Sequence, residues 1–394
     1  MSGSTPAVLG GDPAFADGLP LVRPTIPDIP GVAARLRRVL ESGYLTNGPT
    51  VRELESTVAD LLGVPHVVAV SNCTAGLMLV YQALGVQGRV VMPSMTFSAS
   101  AHAVVWAGGT PSFAEVDPER ITLDPVDAAS VVDGAAALSA THVYGAPAEV
   151  EALQRVADDA GIPLVYDAAH ALGSLRRGRP VGAFGTAAVF SMSPTKVAVA
   201  GEGGLVATHD DDLAAALRVG RDYGNPGDYD CLFPGLNARM SELHATVALA
   251  TVHGLAARIE ERNNLVTTMK QALADVPGVG FQRVDDTDVS SYKDLTLVLD
   301  PPHFGLTSGQ LQVALKAEGI DSRRYYHPPI HRQKAYAHLT PARELPVTDA
   351  LADRLLTPPL YSHLTTEQVQ RVADVIAALH AHAEAVATAV GERP

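Results

Sequence analysis

Between Val67 and Thr208 the chain repeats one pattern, a short and mostly apolar run followed by a longer stretch with helical spacing. Val67–Val70, Arg89–Met92, Thr110–Ala114, Ala136–Thr141, Leu164–Tyr166, Ala187–Phe190 and Leu205–Thr208 read as strands. Stretches such as Ala75–Leu84, Ala99–Ala107 and Glu149–Ala160 read as the helices between them. Strands that do not alternate apolar with polar residues must be covered on both faces. Strands that alternate with helices give a mostly parallel α/β sheet. Ligands gather at the carboxyl ends of such strands. The polar insertions Ser71–Thr74, Asp167–His170 and Ser191–Lys196 fall at those ends.

The remainder of the 394 residues frames this block. Residues 1–25, rich in Gly, Pro and Ala, read as an arm. Ile29 to Ser42 and Thr50 to Leu62 read as amphipathic helices split by the turn-forming Thr46-Asn47-Gly48-Pro49. A long helical region from Ser241 to about Val276 leads to a strand at Leu295–Leu299, a helix at Ser308–Glu318 and a terminal helix at Thr366–Ala387. The length suits one large domain, expected over 26–255, and a smaller α+β domain over 256–394. A formal charge of −14 speaks against a nucleic-acid surface. Two cysteines without a CxxC pair, Cys73 and Cys231, build neither a disulfide framework nor a structural zinc site and suit a reducing cytosol. No basic start with an apolar block marks a secretory signal, and no apolar run is long enough to cross a bilayer.

Three motifs carry chemistry. In Phe190-Ser191-Met192-Ser193-Pro194-Thr195-Lys196 an apolar strand runs through hydroxyl residues to one lysine, followed by Gly201-Glu202-Gly203-Gly204. A lysine in a poorly hydrated pocket loses proton affinity and becomes a nucleophile; a lysine in solvent is the plainer reading. Asp167 ends the buried Leu164-Val165-Tyr166 run. It either caps the next helix or, buried, needs a cationic partner such as the protonated ring nitrogen of pyridoxal phosphate (PLP). Ser71-Asn72-Cys73-Thr74-Ala75 opens a helix whose N–H groups favour an anion, unless Thr74 is simply its N-cap. Phe97 could stack on an aromatic ring or belong to the core. In His327-Pro328-Pro329-Ile330-His331 the prolines keep the histidines off one helical face. No metal is expected there, but rather an anion- or substrate-contacting loop with Arg323 and Arg324.

In this order the motifs resemble those of the DegT/DnrJ/EryC1/StrS family, the sugar aminotransferases of PLP fold type I. The resemblance runs from Gly48-Pro49 with Glu55 to the His331 region. It takes in Ser-x-x-Thr-Ala at 71–75, Pro-x-x-Thr-Phe at 93–97, Asp-Ala-Ala-His at 167–170, Ser-Pro-Thr-Lys to Gly-Glu-Gly-Gly at 193–204, and Gly235 to Glu242. The resemblance implies that Lys196 binds the cofactor as an imine and then moves the proton between donor carbon and cofactor. It implies further that Asp167 pairs with the pyridine nitrogen, that Thr74, Ala75 and Ser191 hold the phosphate, and that Phe97 stacks on the ring. Asn237 would reach the phosphate of a neighbouring subunit, which implies a homodimer. Substrate contacts are expected from Tyr44, Arg324, Tyr326, His327 and His331.

Two departures from the family pattern stand out. Ser193 replaces a histidine before Pro-Thr-Lys, and His170 replaces a glutamine near the ring, where it could bond the phenolic oxygen. Histidine there resembles members that aminate C4 of a nucleotide-linked keto sugar more than those acting at C3. The expected reaction moves an amino group from an amino acid, expected to be glutamate, to a nucleotide-diphosphate 4-keto-6-deoxysugar. PLP and its pyridoxamine form carry the group, and the location is cytoplasmic. The alternatives are a ketocyclitol or a C3 keto sugar as acceptor, or a regulatory protein that binds PLP without turnover. Sugar dehydration is disfavoured because relatives that perform it carry histidine in place of the lysine.

Overall fold

The computed structural model describes residues 5–338 and 343–391. Residues 1–4 of the expected arm, and 339–342 and 392–394 of the expected smaller domain, lie outside them. Seven strands form the central sheet: β1 (His66–Val70), β2 (Gly88–Pro93), β3 (Gly109–Ala114), β4 (Ala137–Thr141), β5 (Leu164–Asp167), β6 (Ala187–Ser191) and β7 (Gly204–Thr208). Each lies within one residue of its expected bounds. The spatial order is β1-β7-β6-β5-β4-β2-β3. Neighbours are parallel except that β7 runs antiparallel to both β6 and β1. The sheet is thus mostly parallel, and the α/β class is as expected.

Every residue of β4, β5, β6 and β7 is buried. The pleat sends Ala188 and Phe190 to one face and Val189 to the other. One face packs on the helices Pro49–Leu62, Val150–Ala160 and Glu242–His253, the other on Cys73–Ala83, Ser98–Trp106 and Asp211–Gly220. Each fully buried Leu or Phe contributes about 1.5–3 kcal/mol to such a core. A second core surrounds the antiparallel strands β8 (Val279–Phe281), β9 (Leu297–Leu299) and β10 (Leu355–Leu356). Its helices Ser308–Ala317 and Thr366–Ala381 both begin with reciprocal Thr/Gln capping boxes. The arm does not hang free: Val8, Leu9, Phe15 and Leu19 pack on this second core. The helix Leu255–Ala272 serves both cores, with Leu255 and Ile259 in the first and Leu265, Val266 and Met269 in the second. No helix among the described residues is long and apolar enough to cross a membrane.

Two contacts shape the edge where the parallel strands end. Buried Glu242 accepts the N–H groups of Gly48, Thr50 and Val51 at 2.9, 2.8 and 2.9 Å. It thereby joins the Asn47-Gly48 turn to the Ser241-Glu242 segment and satisfies the first turn of Pro49–Leu62. Gly204 opens β7 directly against the Asn72–Cys73 turn, where a Cβ would lie 2.5 Å from the Asn72 carbonyl carbon and 2.7 Å from the Cys73 nitrogen. Backbone cannot yield there without moving the turn. Gly204→Ala is therefore expected to cost about 1–3 kcal/mol in denaturant unfolding and to weaken cofactor retention. An unchanged midpoint would show that the turn is not held this way.

Candidate active site

A cavity of about 210 Å³ opens at the carboxyl edge of the sheet. Its walls come from the ends of β4, β5 and β6 and from the turns after β1 and β2. Thr141, Asp167, Ser191, Thr74, Phe97 and Lys196 all line it. Residues as distant in the chain as Thr74 and Lys196 meet here because parallel strands deliver their carboxyl ends to one edge.

Asp167 is the last residue of β5 and is 3% exposed. Its Oδ2 accepts the Ser100 hydroxyl at 2.5 Å and its Oδ1 accepts the Ala169 N–H at 3.1 Å. Burial pushes the carboxyl above its usual range, while these two bonds and the nearby Lys196 pull it back. It forms no ion pair among the described residues. No regular helix starts after it, so its side chain is not a helix N-cap, and a cation presented from the cavity would be its natural complement.

Lys196 is half-buried at the end of the turn that follows Ser193, whose carbonyl accepts the Lys196 N–H at 3.0 Å. Burial is the main cause that brings its amine down to about 8, with the Lys293 ammonium adding to it and Asp294 opposing. The chain contains only five lysines, at 196, 270, 293, 316 and 334. Lys293 is spoken for: its ammonium pairs with Asp294 at 2.8 Å, and both are 3% exposed. Lys196 is thus not a lysine in free solvent, and a partly dehydrated amine of this kind can act as a nucleophile.

His170 has a defined tautomer. Its Nδ1 accepts the Tyr144 N–H at 3.0 Å, so the hydrogen sits on Nε2, which lies 3.5 Å from the Tyr326 hydroxyl at the cavity wall. Burial, with Lys196 and Lys293 nearby, keeps the ring neutral by holding it well below the usual histidine range. Tyr144 can aim its N–H this way because it adopts the left-handed region at φ +59°.

At the opposite end, Asn72 rather than Thr74 caps the helix Cys73–Ala83, its Oδ1 taking the Ala75 N–H at 2.8 Å. That bond occupies Ala75, which does not line the cavity. Thr74 is left to face it together with Ser191 and Ser193. Phe97 is 59% exposed at the mouth, so it is no core residue; its ring centroid stands 6.3 Å from that of Tyr326. Both rings also border a second cavity of about 410 Å³, lined by Arg323, Arg324, Tyr325 and His327. His327 Nε2 lies 3.2 Å from Asp353 Oδ1, with Arg324 Nη2 3.8 Å from the same oxygen.

Besides Ala75, three expected residues lie elsewhere. His331 is buried as a structural pin: Nδ1 bonds the Ser94 hydroxyl at 2.7 Å and Nε2 lies 3.0 Å from Asp349. Tyr44 is 68% exposed and lines neither cavity, and Asn237 is likewise exposed. Conversely, Thr96, Thr141, Ser193 and Glu202 line the first cavity without having been singled out as ligands, and Ser100 bonds Asp167 from behind its wall. No spacing in the sequence marks Thr96, Ser100 and Thr141 for these contacts, since Thr96 lies before the helix that carries Ser100.

The donor set fits PLP. A buried carboxylate suits the ring nitrogen, the Nε2–H of His170 a phenolic oxygen, the Lys196 amine an aldehyde, and helix-start hydroxyls and N–H groups a phosphate. Together with the sheet order, these features define a PLP enzyme of fold type I. A model of the DegT/DnrJ/EryC1/StrS aminotransferase family matches residues 31–377, and the chain belongs to that family. A dTDP-4-amino-4,6-dideoxy-D-glucose transaminase of Escherichia coli is 29% identical over 366 residues, covering 91% of this chain and 98% of the relative. The crystal structure of DesI in the presence of its TDP-sugar product matches with a TM-score of 0.92 at 37% identity, over 97% of this chain and 98% of that one. DesV of S. venezuelae matches with a TM-score of 0.84 at 32% identity, over 89% and 94%. The chain is a PLP-dependent sugar aminotransferase.

Only the neutral amine attacks an aldehyde, so capture of PLP by the cofactor-free protein is expected to speed up with pH and level off above about 8. Stopped-flow absorbance measures this. A rate still climbing toward the ordinary lysine value of 10.5 would contradict the environment described for Lys196.

Proposed function

We propose that this enzyme moves an amino group from an amino acid, glutamate in the first instance, to C4 of a nucleotide-diphosphate 4-keto-6-deoxysugar, and that it works as a homodimer. One observation carries the reading: the cavity holding Lys196 and Asp167 shares Phe97 and Tyr326 with the larger cavity that bears Arg323 and Arg324. A keto group at the first and a diphosphate at the second would belong to one extended substrate. Guanidinium groups suit such a phosphate partner. The names of the Escherichia coli transaminase and of the DesI complex, both of thymidine-diphosphate sugars, support the same substrate class.

In this scheme PLP supplies an electron sink while the chain's own residues supply position and proton transfer. Asp167 holds the ring nitrogen protonated, and Nε2–H of His170 donates toward the phenolic oxygen. Thr74 and Ser191 take the phosphate, with Ala75 no longer needed for it. Phe97 covers one ring face. The Lys196 amine, brought down to about 8 and so partly neutral near physiological pH, takes a proton from the reacting carbon and returns it on the other side of the transfer. Tyr326, His327 and Arg324 border the path of the sugar nucleotide; Tyr44 and Asn237, both exposed, are assigned to contacts made across the dimer.

The acceptor is tested by loading the enzyme with pyridoxamine 5′-phosphate and offering a panel of keto sugar nucleotides and ketocyclitols. Return of the PLP absorbance with the 4-keto-6-deoxysugar nucleotide is expected. Return only with a 3-keto sugar or a ketocyclitol would replace the proposed substrate, and Lys196→Arg should slow turnover by about 10³-fold or more. The shared site is tested by mixing Lys196→Arg subunits with Asn237→Ala subunits. Each heterodimer would contain one intact site, so mixing should restore activity to about a quarter of wild type. No recovery above the unmixed variants would remove Asn237 from the neighbour's site.

A further inference from the structure

Three hydroxyls, from Thr141 and Thr96 in the cavity wall to Ser100 behind it, form a chain that ends on Asp167. Thr141 Oγ1 donates to Thr96 Oγ1 at 3.2 Å, Thr96 and Ser100 are 3.1 Å apart, and Ser100 donates to Asp167 Oδ2 at 2.5 Å. We propose that Ser100 is a positioning residue of the reaction: its hydroxyl, ordered by Thr96 and Thr141, holds Asp167 in the orientation and charge state in which that carboxylate can keep a ring nitrogen protonated. The proposal rests on the assignment of Asp167 to the ring nitrogen.

Bond direction makes the case. A carboxylate oxygen only accepts, so the single hydrogen of Ser100 is spent on Oδ2. Ser100 can then only accept from Thr96, and Thr96 in turn only from Thr141. The whole chain points one way, and each bond polarises the next. A neutral carboxyl could still accept this hydrogen on Oδ2, but an anion accepts it more strongly, so the chain as oriented favours the ionised form. These side chains are almost sealed from solvent: Ser100 is 0% exposed, Thr96 1%, Asp167 3% and Thr141 5%. Burial alone would favour the neutral carboxyl, and the Ser100 bond is the largest effect opposing it.

The geometry is specific to this use. Ser100 stands in the first turn of the helix Ser98–Trp106, where a serine often bonds back to local backbone instead. Here the loop after β2 turns Phe97 outward to the cavity mouth and Ser100 inward to Asp167. Thr141 and Asp167 are register partners at the ends of β4 and β5, so the sheet itself fixes the two ends of the chain of hydroxyls.

The test uses full-length enzyme loaded with ¹⁵N-labelled PLP, read by the ring-nitrogen chemical shift and by the rate of the amino-acid half-reaction. Wild type should show a protonated ring nitrogen at neutral pH. Ser100→Ala should move the shift toward the unprotonated value and slow the half-reaction by about 10- to 100-fold, the size of a lost hydrogen bond to a charge. Ser100→Thr, which keeps the hydroxyl, should restore both. Thr96→Val, similar in shape, should move the shift in the same direction by less, and it stands in should Ser100→Ala fail to fold. Asp167→Asn separates the two levels. If it alters the shift while Ser100→Ala and Thr96→Val leave it at the wild-type value, the role of Ser100 is overturned and that of Asp167 stands. If Asp167→Asn also leaves the shift unchanged, the assignment of Asp167 falls and the proposal with it.

Discussion

A carboxylate taken out of water must be matched by hydrogen bonds and positive charge, or it takes up a proton. Asp167 meets this condition at the floor of the cavity with one hydroxyl and one backbone N–H, and with no ion pair among the described residues. Much of the surrounding structure can be understood as support for that arrangement. β5 is buried along its whole length, which fixes where its last residue emerges. The neighbouring strands β4 and β6 run parallel to it and bring Thr141 and Ser191 to the same edge. A buried anion with room for a cation is an unfavourable feature in a protein without a ligand, and it is the feature a pyridinium nitrogen turns to use.

The amine across the cavity is tuned in the opposite sense. The Lys196 amine is brought down chiefly by loss of hydration, with the Lys293 ammonium adding to that and its partner Asp294 opposing it. A buried ion pair of this kind is weak evidence of stability, but it leaves Lys196 as the one lysine lining the cavity. The overall charge of −14 would repel a nucleotide diphosphate at long range. The adjacent Arg323 and Arg324 place positive charge locally where the whole-chain balance lacks it.

The seven strands were legible because both faces of the sheet are covered, which leaves continuous apolar runs with sharp polar ends. Strand direction was not legible: β7 has the same composition as its neighbours, and its reversal becomes visible only where Gly204 meets the Asn72–Cys73 turn. Lys196 and Asp167 stood out because charged residues at the ends of buried strands are costly and need a reason. Ser100, Thr96 and Thr141 did not, since a small hydroxyl in an apolar context carries no signal of what it bonds. His331 misled for the converse reason. A histidine beside arginines in a polar loop looks like a ligand, yet this one is consumed by Ser94 and Asp349 in pinning the loop to the end of β2. The N-cap went to Asn72 rather than Thr74 because the helix starts one residue before Thr74, a difference of register that spacing alone does not resolve.

The covalent attachment point is the claim that most else depends on, and a chain with only five lysines makes it easy to locate. Borohydride reduction of the purified holoenzyme, followed by peptide mass mapping, should find the reduced pyridoxyl group on the peptide that contains Lys196 and on no other. Finding it on Lys293, on one of the other three lysines, or nowhere would contradict the account.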